Sequence, residues 1–83
     1  VEDELLISHH AARRAWQRAG IDDPAVLCRL WARGRPVDER ELSAFKTRPA
    51  YDVEYRVAVW RGRAWLLARS YETGALVTIL PKV

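Results

Sequence analysis

The apolar positions of this chain change period once. Up to about residue 46 they recur at helical spacing, and from Tyr51 onward they alternate. Ser8 can cap a first helix over about 9–19, in which Ala12, Ala15, Trp16 and Ala19 share one stripe, and Gly20 suits its end. Asp23 followed by Pro24 starts a second helix over about 24–33, with Val26, Leu27, Leu30 and Trp31 turned inward and Gly34 behind it. Asp38 with Glu41 three residues on forms a capping-box pattern, which predicts a short third helix over about 39–46.

Beyond Tyr51, Val53, Tyr55, Val57 and Val59 alternate with Glu54, Arg56, Ala58 and Trp60, then Arg61–Gly62 separates this run from "RAWLLARS". The pattern predicts strands over about 52–60, 63–70 and 75–80, the last reached through "YETG" and closed by Pro81. A two-residue turn sets Trp60 opposite Arg63, Ala58 opposite Trp65, Arg56 opposite Leu67 and Glu54 opposite Arg69, whereas a bulged turn shifts that register by one. The expected class is α+β, with two or three N-terminal helices packed on one face of a three-stranded antiparallel β-meander.

Composition narrows this picture. Eighty-three residues hold a single core, so residues 1–83 are read as one domain. With 49% hydrophobic and 30% charged residues the chain belongs to the ordinary globular class, and its four tryptophans supply much of the apolar area. A single cysteine, Cys28, excludes an internal disulfide, and one Cys with two adjacent His falls short of the four ligands of a structural zinc. The expectation is therefore no metal and no cofactor. No apolar run approaches a membrane span, and the chain reads as soluble and cytoplasmic, with no membrane partner.

Charge is more informative in its distribution than in its sum of +3. Twelve of the fourteen basic residues are Arg, clustered at 13–18, 29–40 and 56–69; the acidic residues gather at 2–4, 22–23 and 38–41, where helix starts are expected. Arginine offers phosphate a planar, bidentate contact that lysine does not. Residues 8–18, "SHHAARRAWQR", hold two His and three Arg without a carboxylate, so their cations repel one another unless an anion is bound. His10 heads a ridge continued by Arg14 and Arg18 at i+4 and i+8. His9 lies at the edge of the apolar stripe, one turn before Arg13 and Trp16. Either imidazole can carry a proton near neutral pH.

The pattern His10-x3-Arg14-x3-Arg18, then Gly20-Ile21, Val26, Leu30 and Gly34, the strand "YRV" at 55–57 and the final "VTILP" at 77–81, resembles a family of small domains of unknown function. That family is grouped with the barnase–EndoU–colicin–RelE ribonucleases and toxins. Here Ala19 stands between the second Arg and Gly-Ile, where such domains run on directly. The resemblance implies a helical layer on an antiparallel sheet that holds RNA, and a RelE-like toxin activity that cleaves RNA without metal. In that reaction a base removes the 2′-hydroxyl proton, the oxygen attacks phosphorus, cations stabilise the added charge and an acid protonates the leaving 5′-oxygen.

The resemblance places His10 as base or acid with His9 as its substitute, and Arg14 and Arg18 as phosphate clamps. Arg56 and Thr78 join the catalytic candidates from the strands, while Tyr55, alternating with valines, reads as core. The RNA-binding candidates are Arg13, Arg18 and Lys82, together with Trp60, Trp65 and Arg69. The last three share a sheet face with Arg56, and that face either packs against the helices or, if the helices cover the valine face, stands open for base stacking. A cognate inhibitor or antitoxin is the protein partner such a toxin implies. The alternative is a noncatalytic nucleic-acid-binding or protein-docking module, such as a phage-type inhibitor or toxin neutraliser.

Overall fold

The computed structural model describes residues 5–48 and 50–82. The acidic segment at 2–4 lies outside them. In chain order the elements are β1 (Leu6–Ile7), α1 (His9–Ala19), α2 (Pro24–Arg33), β2 (Arg35–Pro36), α3 (Glu39–Leu42), β3 (Val53–Trp60), β4 (Arg63–Ser70) and β5 (Ala75–Pro81). A 3-10 turn over Ser43–Phe45 extends α3. The helices begin where side chains satisfy their first free amides: Ser8 accepts from Ala11, Asp23 from Ala25 and Asp38 from Arg40.

The fold is α+β, but the three-stranded antiparallel meander is corrected to a five-stranded mixed sheet of order β1-β5-β4-β3-β2. β1 pairs parallel with Ala75 and Leu76, and β2 pairs antiparallel with Arg56 and Val57. Each added strand is two residues long, too short to carry an alternating pattern. The central hairpin has the register of the two-residue turn, with Trp60 opposite Arg63 and Glu54 opposite Arg69. Both turn residues have positive φ, 52° at Arg61 and 76° at Gly62, the primed geometry whose twist matches the strands. Arg61 stands at a position that favours glycine or asparagine, and its guanidinium lies 5.1 Å from the Trp60 ring centroid.

The expectation that the helices cover one face is also corrected. α1 and α2 pack on the face bearing Ala58, Trp65, Leu67, Leu76 and Ile79, while Leu42 and Phe45, from α3 and its 3-10 turn, cover Val57 and Leu66 on the other. The adjacent leucines explain it. Leu66 and Leu67 point to opposite faces and both are fully buried, so β4 needs cover on each side. The third helix is shorter than expected, ending at Leu42 before the 3-10 turn and a left-handed Lys46.

β5 ends the sheet with an edge that β1 protects only at Ala75–Leu76. Lys82 donates its N–H to the Ala64 carbonyl, and the alternation of an antiparallel ladder then turns the Ile79 amide and carbonyl toward the open edge. Arg18 donates to that carbonyl at 2.9 Å, Pro81 has no N–H to offer, and the register shifts at Ala68/Arg69. A capped carbonyl, a proline and a bulge together discourage pairing with another chain.

On the opposite edge Arg35 of β2 makes a bidentate bond to Glu41 of α3, at 2.9 and 2.6 Å. These hydrogen bonds hold the Glu41 carboxyl below the ordinary glutamate value. A depressed folded-state value means the pair stabilises the fold above the ordinary range and loses that contribution as pH falls through the lowered value. The amide protection factors of Arg35 and α3, corrected for the intrinsic pH dependence of exchange, are expected to fall below about pH 4 while those of the β3–β4 ladder are kept. Equal protection of both regions down to acid unfolding would contradict this.

Candidate nucleic-acid interface

The orientation of α1 decides which of its side chains meet solvent. The expected buried stripe of Ala12, Ala15, Trp16 and Ala19 is corrected in part: Ala15 is fully buried and Ala19 packs against the core, but Ala11 is the other fully buried position, Ala12 is exposed and Trp16 is 60% exposed. Two alanines four apart let the backbone of α1 approach β5 more closely than an indole would. Trp31 and Trp65 already fill the core volume beneath. At about 100° per residue, His9, Arg13 and Trp16 fall nearly opposite Ala11 and Ala15 and form one outward stripe at i, i+4 and i+7. His9 and Arg13 are exposed. The placement of His9 at the edge of a buried stripe is thereby corrected.

His10, Arg14 and Arg18 run along the flank of the helix and spiral toward the sheet. His10 is exposed, Arg14 is half-buried and donates to Gln17 at 3.4 Å, and Arg18 is occupied at the edge of β5. The clamp assigned to Arg18 is therefore tied, in this structure, to a backbone carbonyl.

The strand candidates do not converge with α1. Arg56 donates to the Trp31 carbonyl at the end of α2 (2.9 Å) and to Glu54 (3.1 Å), and its guanidinium covers the Trp31 ring at 4.4 Å. Arg69 donates to the Gly74 carbonyl and lies 5.9 Å from the same ring. Trp65 is buried and Trp60 half-buried beneath the helices, each with a buried indole N–H that has no partner among the described residues, so these rings contribute area to the core. Of the two alternatives for the Trp and Arg face, the structure has the covered one. Thr78 pairs with Ala68 on the valine face, across the sheet from α1. Lys82 is exposed at the end of β5, beside a groove shared with Arg35 and Glu41. Tyr55 packs against the Leu42–Phe45 cluster, and its hydroxyl donates to the Arg48 carbonyl.

A groove of about 200 Å³ opens beside α1, with Ile7, Ile21 and Leu27 beneath, Trp16 as one wall and Asp22 and Asp23 at the rim. Asp23 uses one oxygen to cap α2, and Asp22 accepts no hydrogen bond among the described residues. The sequence reading missed this feature. Periodicity places Trp16 in the core and the two aspartates among the caps; the Ala11–Ala15 pair is no more apolar than Ala12, Ala15 and Ala19, so the pattern alone does not orient the helix.

The charges carried by the two helices themselves are one-sided. α1 and α2 together carry five arginines and no carboxylate. Among the described residues the ion pairs are Arg35–Glu41 and Arg56–Glu54, so no arginine of either helix is neutralised by a described carboxylate. The described residues contain no cluster of three or more potential metal ligands, and none of their helices is long and apolar enough to cross a membrane. Comparison with protein-family models, with curated proteins and with solved structures finds no match in any of the three.

Proposed function

We propose that the protein binds RNA through the outward face of α1. The observation that carries this reading is the exposed stripe of His9, Arg13 and Trp16 on a helix with no acidic residue. A guanidinium and an imidazole meet phosphate, an indole meets a base, and α1 itself carries no carboxylate to compete for them. α2 adds Arg29 and Arg33 on its own exposed side. The rest of the molecule holds this face rigid, because Ala11 and Ala15 seat α1 directly on the sheet.

The test is the salt dependence of binding to a fluorescein-labelled single-stranded RNA 12-mer. Affinity falls as salt rises, and Arg13→Ala reduces the slope of log K against log salt by about 0.7, the increment for one phosphate on a single strand. A chain that fails to bind at low salt, or a slope unchanged by Arg13→Ala, contradicts the proposal.

One observation favours a second reading, metal-independent cleavage by a toxin-type ribonuclease. Both imidazoles are exposed on the first turn of α1, His9 in line with Arg13 and His10 in line with Arg14. Cleavage then leaves cyclic-phosphate ends in EDTA and disappears in the His9→Ala/His10→Ala variant. RNA that is bound and left intact at high protein removes this reading and leaves the first in place.

A further inference from the structure

We propose that the groove beside Trp16 seats one unstacked base of the bound RNA against the indole, and that Asp22 selects bases carrying an exocyclic amino group over uracil. This rests on the RNA-binding reading of α1 and names what the same face recognises.

The groove's size is the first argument. At about 200 Å³ it lies below the range of pockets that enclose drug-sized ligands, about 300–1,000 Å³, and suits a single flat ring. Its floor of Ile7, Ile21 and Leu27 offers an apolar surface for one face or edge of that ring, and Trp16 is exposed enough to stack with it.

The order of charge along the helix is the second. His9 and Arg13 stand toward the N-terminal end of the outward stripe, Trp16 follows, and Asp22 and Asp23 come just beyond the helix's C-terminal end. A nucleotide has the matching polarity, with an anionic phosphate at one end and base-edge donors at the other. The carboxylates repel phosphate from the groove itself, and Arg13 repels a simple cation approaching along the stripe. Ionised carboxylates only accept hydrogen bonds. Cytosine and adenine present an amino group to such an acceptor, and guanine presents an amino group beside a ring N–H. Uracil presents one N–H flanked by two carbonyls, which the carboxylate repels.

Asp22 is the residue to test, since Asp23 also caps α2. Fluorescein-labelled oligo(rC)12 and oligo(rU)12 are titrated by anisotropy at one salt concentration and pH 7.5. The two rings have the same size and differ at the amino and carbonyl positions. Wild type is expected to bind oligo(rC)12 about tenfold more tightly, the scale of one hydrogen bond to a charged group. Trp16→Ala weakens both by about tenfold without lowering the melting temperature, because the indole lies at the surface. Asp22→Asn, whose amide can donate to the uracil carbonyl, brings the two affinities within about twofold. Removing a negative charge strengthens binding to any polyanion, so the ratio is the readout.

Equal binding of the two oligomers by wild type, a ratio unmoved by Asp22→Asn, or indifference to Trp16→Ala overturns the groove assignment. If both still bind with a steep salt slope, the RNA-binding face stands without it. If neither binds, the reading of α1 itself has failed.

Discussion

Arg56→Ala is expected to lower the unfolding free energy by about 2 kcal/mol, combining a charge-assisted hydrogen bond with a cation–π contact. For a domain of this size that corresponds to a fall in melting temperature of about 8–16 °C. Arg56 joins β3 to the end of α2: it donates to the Trp31 carbonyl, where the helix dipole is negative, and its planar group rests on the Trp31 ring. The Trp31 carbonyl also accepts from Gly34, so it keeps a partner when the guanidinium is removed, and this limits the cost. The Glu54 pair, with both side chains about a third exposed, adds little. Arg56→Lys keeps the charge but loses the planar stack, and is expected to recover less than half of the stability. Thermal unfolding followed by circular dichroism measures all three proteins. A catalytic Arg56 would give the opposite signature, with activity lost and the melting temperature unchanged.

The larger effect belongs to the central strand. Leu67→Ala is expected to cost about 3–4 kcal/mol, within the range for a fully buried leucine whose cavity cannot close. Chains of this length have total stabilities of about 4–12 kcal/mol, so the variant is left near the folding threshold. Leu67 is 0% exposed between the sheet and two full helices, neighbours that are themselves held by Trp31, Trp65 and Ile79. Leu66→Ala removes the same atoms from an equally buried position on the other face. Its cover is the four-residue α3 and a 3-10 turn, beside an open groove lined by Arg35, Ala44, Phe45, Val57 and Ala64. Short elements at a groove can settle into the vacated space, so Leu66→Ala is expected to cost about 1 kcal/mol less than Leu67→Ala. Urea unfolding of the pair provides the comparison. An equal or greater cost at Leu66 would show that α3 is as rigid a lid as the two longer helices.

Gly34 shows how a right element can be read for an incomplete reason. It follows α2 as a helix-stopping glycine would, yet its φ is −65°, open to any residue. What requires glycine is the neighbour: a Cβ there would sit 2.9 Å from the Cβ of Arg56. Such a contact joins positions 22 apart in sequence and leaves no local pattern. The same holds for the candidate site, where Arg56 and Thr78 were grouped with His10 although the sheet and its register keep them apart.

The amino-acid sequence by itself determined the elements whose cause is local. α1 and α2 start at capping side chains and run over the residues their periodicity marks, and the hairpin follows from alternation around a two-residue turn. Charge segregation was equally legible, since both helices are rich in arginine and free of carboxylates. Only the tertiary structure decided how far α1 is rotated, because alanines and a tryptophan all read as apolar while close approach to β5 admits only the smaller side chains. It also decided the two short strands, which exist as partners of β3 and β5, and the division of the helices between faces, imposed by two adjacent leucines that must both be buried. Packing thus turned Trp16 outward and Trp65 inward, a distinction that rests on contacts distant in sequence.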